Sequence, residues 1–292
     1  MRIYPLAFWF CFFGFNAISV FLYYSNGAIA FLPRIKSINY FISNFLVYAF
    51  HYFFSIFLIY FFLKKEIRPK LQIKSIFLIT LSFLFFVYRD ELDCEFYLSK
   101  IFGPQNFNKL YKVVLNQFFR GLNMLIPLWI IWYLKDRRNQ PPYGFSFLLH
   151  DSKTYWVLFG FMLPLLFLAG TQKDFLDYYP RGSVIYGNGG STFLLILYEL
   201  AYGFDFLSIE MFFRGFLILG FYHILGKHAI LPMASFYMAI HFGKPLGETA
   251  SSLFGGLILG VISYHSKSIY GGLFVHIGIA WCMELIGFLK NY

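Results

Sequence analysis

The chain has 292 residues, of which 59% are hydrophobic, 24% aromatic and only 13% charged, with a formal net charge of +10. Soluble domains carry about 25% charged residues, and no water-soluble surface hides 42 Phe and 23 Tyr without large exposed apolar patches. Disorder is excluded because disordered chains are poor in aromatics, and three Cys are too few for a disulfide-stapled scaffold. What remains is an integral membrane protein, an all-α polytopic bundle of transmembrane helices, in keeping with a mean hydropathy of +0.62.

In chain order, five apolar runs come first: Pro5–Tyr24, Asn39–Leu63, Ser75–Tyr88, Val113–Leu134 and Tyr155–Ala169. The third and fifth are short for a span of about 20 residues and need snorkelling ends or tilted neighbours. Ser191–Leu225 follows, then Ala229–Phe242, Thr249–Tyr264 and Ile269–Leu289. As one helix Ser191–Leu225 would reach roughly 52 Å, so it is expected to protrude with a kink or to break near Gly203–Leu207. The count is eight spans, or nine. Only Arg2 precedes the first run and no clear cleavage site follows, so that run is read as a retained span rather than a signal peptide.

The loops set orientation. Lys64, Lys65, Arg68, Lys70 and Lys74 crowd one loop beside Glu66, and Lys135, Arg137, Arg138 and Lys153 mark another. The loop between them mixes Asp90, Glu91, Asp93 and Glu95 with Arg89, Lys100, Lys109 and Lys112. Basic loops stay in the cytoplasm, which places the N-terminus inside. With eight spans Lys227 and Lys267 join that side. The expected home is the plasma (inner) membrane. In a soluble protein such charge would suggest nucleic acid. Here its clustering between apolar runs reads as topology signal and anionic-lipid contact, so the bilayer is an expected partner and nucleic acid is not. Cys11 and Cys282 lie in apolar runs and Cys94 in a polar loop, with no zinc-ribbon spacing.

Chemistry concentrates late in the chain. Residues 1–190 read as spans with short loops, and 191–292 as the functional core. Glu199, Asp205, Glu210, Arg214, His241, His276 and Glu284 all fall there, inside or beside apolar runs. An ionisable group near the bilayer centre costs at least about 2.5 kcal/mol and marks a functional site by default. Glu210 and Arg214 are four apart, which on an α-helix shares a face. Counted from the turns at Gly226–His228 and His265–Ser268, Glu210 is roughly 22 Å deep, His241 roughly 18 Å and His276 roughly 10 Å. Three side chains from three helices are thus within reach of one pocket. A carboxylate and two imidazoles suit zinc as a His₂Glu set. They equally suit metal-free hydrolysis, with polarised water and a stabilised oxyanion. Neither HExxH nor GxSxG occurs. No repeated pair of broken helices supports a transporter.

The motifs carry a resemblance. Ile209-Glu210-Met211-Phe212-Phe213-Arg214-Gly215 resembles the EExxxRG motif of the CPBP family of intramembrane proteases, which includes the type II CAAX prenyl endopeptidase and bacteriocin-processing members. Tyr237-Met238-Ala239-Ile240-His241 resembles its FxxxH motif, and His276 to Ala280 its HxxxN motif. The likeness covers about Ser191–Leu289. It implies an endopeptidase acting on a membrane-associated peptide or protein, with Glu210 and His241 activating water, His276 supporting the oxyanion and Arg214 holding Glu210. A glutamate-type enzyme would need no cofactor, whereas a metal-dependent one would hold zinc through Glu210, His241 and His276. Two positions depart from the motifs: Ile209 replaces the first Glu and Ala280 the final Asn. In the resemblance the missing acid has two candidate substitutes, Glu210 itself or Glu248 from the loop after His241, although Glu248 reads more simply as a charge favoured at a helix N-terminus. The departures make a noncatalytic relative, acting as a scaffold or in bacteriocin self-immunity, the alternative.

Overall fold

A computed structural model describes residues 4–25, 38–91, 100, 109–145, 152–187 and 189–291. Among them there are helices and no strands. Cys94, Asp93 and Glu95 lie outside the described residues. In chain order the helices are α1 (Leu6–Ser25), α2 (Ile38–Phe62), α3 (Ile73–Glu91), α4 (Lys109–Ile131, prolonged by a π turn to Asp136), α5 (Ser152–Ala169), α6 (Lys173–Tyr178) and α7 (Ser183–Tyr186). They continue with α8 (Thr192–Glu210, prolonged as a π-helix through Met211–Leu219), α9 (Tyr222–Leu225), α10 (Ile230–Ala239), α11 (Leu246–Ser266) and α12 (Tyr270–Asn291).

Among the described residues six helices are long and apolar enough to cross a membrane: Leu6–Ser25, Tyr40–Phe62, Leu110–Asp136, Thr192–Leu219, Leu246–Ser266 and Tyr270–Asn291. This is a membrane protein built of helices. The other three expected spans form helices that fall short of that standard, each for its own reason. α3 is long but includes Lys74, Arg89, Asp90 and Glu91, α5 is short, and α10 has ten residues. The break expected near Gly203–Leu207 does not occur. Gly203 sits inside continuous α8, where a methyl group would come within 3.2 Å of the Trp281 ring, so its small size serves helix packing. The irregularity comes later, where hydrogen bonding shifts to i→i+5 from Met211, ending with Gly220 N–H on the Gly215 carbonyl at 2.8 Å.

The chain packs as two compact units, interleaved in sequence. One comprises residues 1–88 and 213–267, the other 89–212 and 268–292. In the first, α10 is buried on every side, as suits a helix with apolar residues all round it. Its Phe236 ring meets Tyr48, Phe83, Phe86 and Phe213 at centroid distances of 4.7–5.6 Å. Ser235 on α10 donates to Asn16 Oδ1 of α1 at 2.8 Å, which satisfies two buried polar groups at once.

At one end of this unit Tyr4 hydrogen-bonds His228. Partial burial and the neighbouring Lys227 hold the His228 imidazole below its ordinary value of about 6.5. A lowered folded-state value means that the unfolded chain takes the proton first. Stability contributed here is therefore full above about pH 6.5 and falls as pH drops through the lowered value. We expect the parent to lose thermal stability between pH 7 and pH 5, and His228→Gln to flatten that slope. Parallel pH profiles for the two proteins would refute it.

In the second unit α12 packs on α5 and against the Tyr179–Pro180 segment. A methyl group at Gly287 would lie 2.6 Å from the Tyr179 carbonyl carbon and 2.7 Å from the Pro180 nitrogen. Those are backbone atoms, so no rotamer change makes room. Gly287→Ala is expected to destabilise by about 1–3 kcal/mol through overpacking, read as a lower unfolding midpoint in micelles. An unchanged midpoint would remove this contact from the account.

Candidate active site

Ser191 starts α8 by accepting the Leu194 N–H at 3.3 Å, the usual N-cap arrangement. The helix then runs without interruption to Glu210, the last α-helical residue before the π segment. Such π turns recur at functional sites. Glu210 is completely buried. Its Oε1 accepts a hydrogen bond from Nδ1 of His276, on α12, at 2.9 Å. The ring of Phe206, one turn earlier on α8, packs 4.4 Å from the His276 ring. With the carboxylate ionised it can only accept, an arrangement that puts an imidazole proton on Nδ1 and leaves Nε2 to take another. Two of the residues singled out in the sequence, 66 positions apart, are thus one pair within one unit.

The other two lie in the first unit. The chain passes from one unit to the other between Phe212 and Phe213. The Arg214 guanidinium lies 4.3 Å over the Tyr237 ring, a cation–π contact strengthened by burial. Tyr237 also packs edge-on against the His241 ring at 4.7 Å. His241 lies in the turn two residues past the end of α10, with Nδ1 on the Tyr237 carbonyl at 2.8 Å. Its Nε2 is 3.9 Å from Glu248, which itself pairs with Lys244 at 2.8 Å. Buried Thr249 donates to the His241 carbonyl at 2.6 Å. Glu248 is thus a first-turn charge of α11, paired with Lys244 and within 3.9 Å of His241.

Comparison with protein-family models, curated proteins and solved structures finds no match. The resemblance to the CPBP proteases accordingly stays with the three motifs. Ile209 and Ala280 are both buried, so the two departing positions hold apolar side chains in apolar surroundings. Among the described residues no group of three or more His, Cys, Asp or Glu is placed to hold a metal ion. One unit brings together two of the three donors expected for zinc, Glu210 and His276. A catalytic zinc keeps three protein ligands, one more than this unit supplies through Glu210 and His276.

Sequence reasoning misplaced Arg89. It is in the last turn of α3, not a loop, and only 2% exposed. Its Nη2 donates to both carboxylate oxygens of Asp205, on α8. Gln117 of α4 donates to the same carboxylate at 3.1 Å, as does Ser208 at 3.1 Å. Asp205 thus meets its burial cost through a cation and two neutral donors, one turn before Glu210. The signal available in the sequence was the presence of a mid-span Asp, which requires a cation from some other helix. Glu284, on α12, accepts the Arg181 and Gly182 N–H groups at 2.8 and 2.9 Å. With Glu199 it lines a cavity of about 330 Å³ in the second unit.

Proposed function

We propose that this protein hydrolyses a peptide bond of a membrane-associated substrate, with Glu210 and His276 as its working pair. The observation that supports this reading is the 2.9 Å hydrogen bond between a fully buried carboxylate and an imidazole on a second apolar helix. In lipid such a pair is costly to keep. The chemistry follows from the tautomer. Glu210 holds the Nδ1 proton and raises the basicity of Nε2. Nε2 takes a proton from water as the water oxygen bonds to the substrate carbonyl carbon. The same proton then passes to the leaving amine as the carbon–nitrogen bond breaks. In the motif resemblance His276 supports the oxyanion and His241 shares the activation of water. The Glu210–His276 bond favours His276 as the base, and His241 enters through its motif alone. Zinc has no part in these steps.

In this reading the N-terminus and the basic loops at 64–74 and 135–138 face the cytoplasm of the plasma (inner) membrane. The shorter helices bring the crossings to eight or nine. The test is cleavage by purified protein in proteoliposomes supplied with membrane-inserted peptides, scored by new amino termini. Cleavage lost in both Glu210→Gln and His276→Ala supports the proposal. Equal turnover in either variant rejects it. A second reading, a noncatalytic relative, is favoured by buried Ile209 and Ala280, since Ala280 removes a donor worth about 10²–10³ in rate. Glu210→Gln protein that replaces the parent fully in cells would select that reading.

A further inference from the structure

We infer that one end of the first unit is a docking face for anionic phospholipid headgroups. Four segments of the chain meet there. Phe8 at the start of α1 packs on Phe62 at the end of α2, at 5.9 Å. Tyr4 bonds His228 in the turn after α9. Tyr222 of α9 packs on Tyr264 near the end of α11 at 5.0 Å. Lys267, just past α11, sits with its Nζ 3.0 Å over the Tyr222 ring. The α2–α3 connection folds back onto α2, with Arg68 Nε donating to the Leu63 carbonyl at 2.8 Å and Tyr60 to the Pro69 carbonyl.

The charge on this end is one-sided. The α2–α3 connection brings Lys64, Lys65, Arg68, Lys70 and Lys74, and the two turns bring Lys227 and Lys267. Glu66 is the one acid among the described residues of these four segments. All of these lysines are exposed. At the opposite end of the unit the described charges are Lys244 and Glu248, which neutralise each other.

Charge alone would suit nucleic acid as well as a lipid. The apolar residues threaded through the same segment decide between them. Ile67 is 48% exposed and Ile73 86% exposed, each directly followed by a basic residue in Lys65-Glu66-Ile67-Arg68 and Gln72-Ile73-Lys74. An isoleucine that open gains nothing beside a nucleic acid backbone. It gains burial when it enters the boundary between headgroups and acyl chains while adjacent lysines reach back to phosphates. Tyr4, Tyr222 and Tyr264 supply the aromatic ring at the same level. This is the composition of an interfacial anchor, built from three connections and held as one surface by the contacts above.

The test uses the full chain in neutral detergent. Native mass spectrometry reads the binding of dioleoyl phosphatidylglycerol and of dioleoyl phosphatidylcholine. The parent should bind the anionic lipid more tightly. Each lysine near a charged surface contributes about a fivefold factor, so Lys70→Gln should weaken the anionic lipid about fivefold. The variant in which Lys64, Lys65, Lys70 and Lys74 all become Gln should weaken it by at least about 25-fold, with phosphatidylcholine unchanged. Lys173→Gln, an exposed lysine elsewhere, should leave both lipids unchanged. The exposed positions keep folding out of the result, checked by equal unfolding midpoints. Equal affinity of the parent for the two lipids overturns the inference. So does a fourfold-substituted variant that holds phosphatidylglycerol within twofold of the parent, or a parent that binds a single-stranded oligonucleotide more tightly than phosphatidylglycerol.

Discussion

Glu210→Gln should lower peptide hydrolysis by about 10²–10⁴-fold, the range for loss of a positioned acid–base group, with little change in the substrate concentration giving half-maximal rate. The amide keeps the volume of the carboxylate and still accepts a hydrogen bond from His276. It carries no charge, so it neither raises the basicity of Nε2 nor stabilises an imidazolium once Nε2 takes a proton. The loss therefore falls on the chemical step rather than on binding. His276→Ala should cost as much, and the double variant little more than either single, because a pair that acts as one unit is not additive. Turnover by purified variants in proteoliposomes checks all three. Additive losses would show that the two residues work separately, and unchanged turnover in Glu210→Gln would remove the carboxylate from the chemistry. Unfolding midpoints measured alongside separate lost catalysis from lost fold, since Glu210 is fully buried and leaves no solvent to compensate for a missing partner.

Much of this was legible from residue type and spacing, with instructive exceptions. The apolar runs gave the long helices because a span needs about 20 residues free of charge. Depth counting found Glu210 and His276 but left them two turns apart. The error lies in treating Glu210 to Leu225 as a straight helix. The helix ends at Leu219, and the chain turns at Gly220 and Phe221 before the short α9. The nine π-helical residues beyond Glu210 span less than the roughly 13 Å they would cover at α-helical rise, which brings Glu210 close to the depth counted for His276. Nothing in Met211–Leu219 announces i→i+5 bonding, because the segment has no Pro and its Arg214-Gly215 pair is equally at home in an ordinary α-helix. The role of Tyr237 was equally hidden. As a motif position it reads as a Phe with a spare hydroxyl, yet its ring faces both Arg214 and His241. Arg89 was unreadable for another reason. It opens a run of charges at the end of an apolar segment, where position alone assigns it to water.

That arginine carries the largest expected effect on stability. Arg89→Met should destabilise the protein by about 3–5 kcal/mol, the cost of leaving one member of a buried pair without its partner. The Asp205 carboxylate would keep only Gln117 and Ser208, both neutral. Two neutral hydrogen bonds return about 1.5–3 kcal/mol each when they reach a charged group, but they are already present in the parent and offset nothing new. Asp205→Leu should be harmful for the mirror reason, because the guanidinium then stays buried on α3 without its carboxylate. The double variant Arg89→Met with Asp205→Leu decides what the pair contributes. Removing both charges spares two desolvation costs, and well-packed apolar replacements of buried ion pairs are often neutral or better. We therefore expect the double variant to recover most of what either single loses, a coupling of at least about 2 kcal/mol in a double-mutant cycle. Reversible unfolding in micelles, followed by helical circular dichroism, gives the four midpoints. Single variants within about 0.5 kcal/mol of the parent would mean that water or lipid headgroups reach Arg89 and Asp205, and that neither charge is paying for burial. Recovery in the double variant with peptide cleavage still absent would locate the purpose of the pair. Asp205 stands five residues before Glu210 on the same helix, so fixing its carboxylate on α3 and α4 fixes the rotation of α8 at the point where Glu210 must face His276.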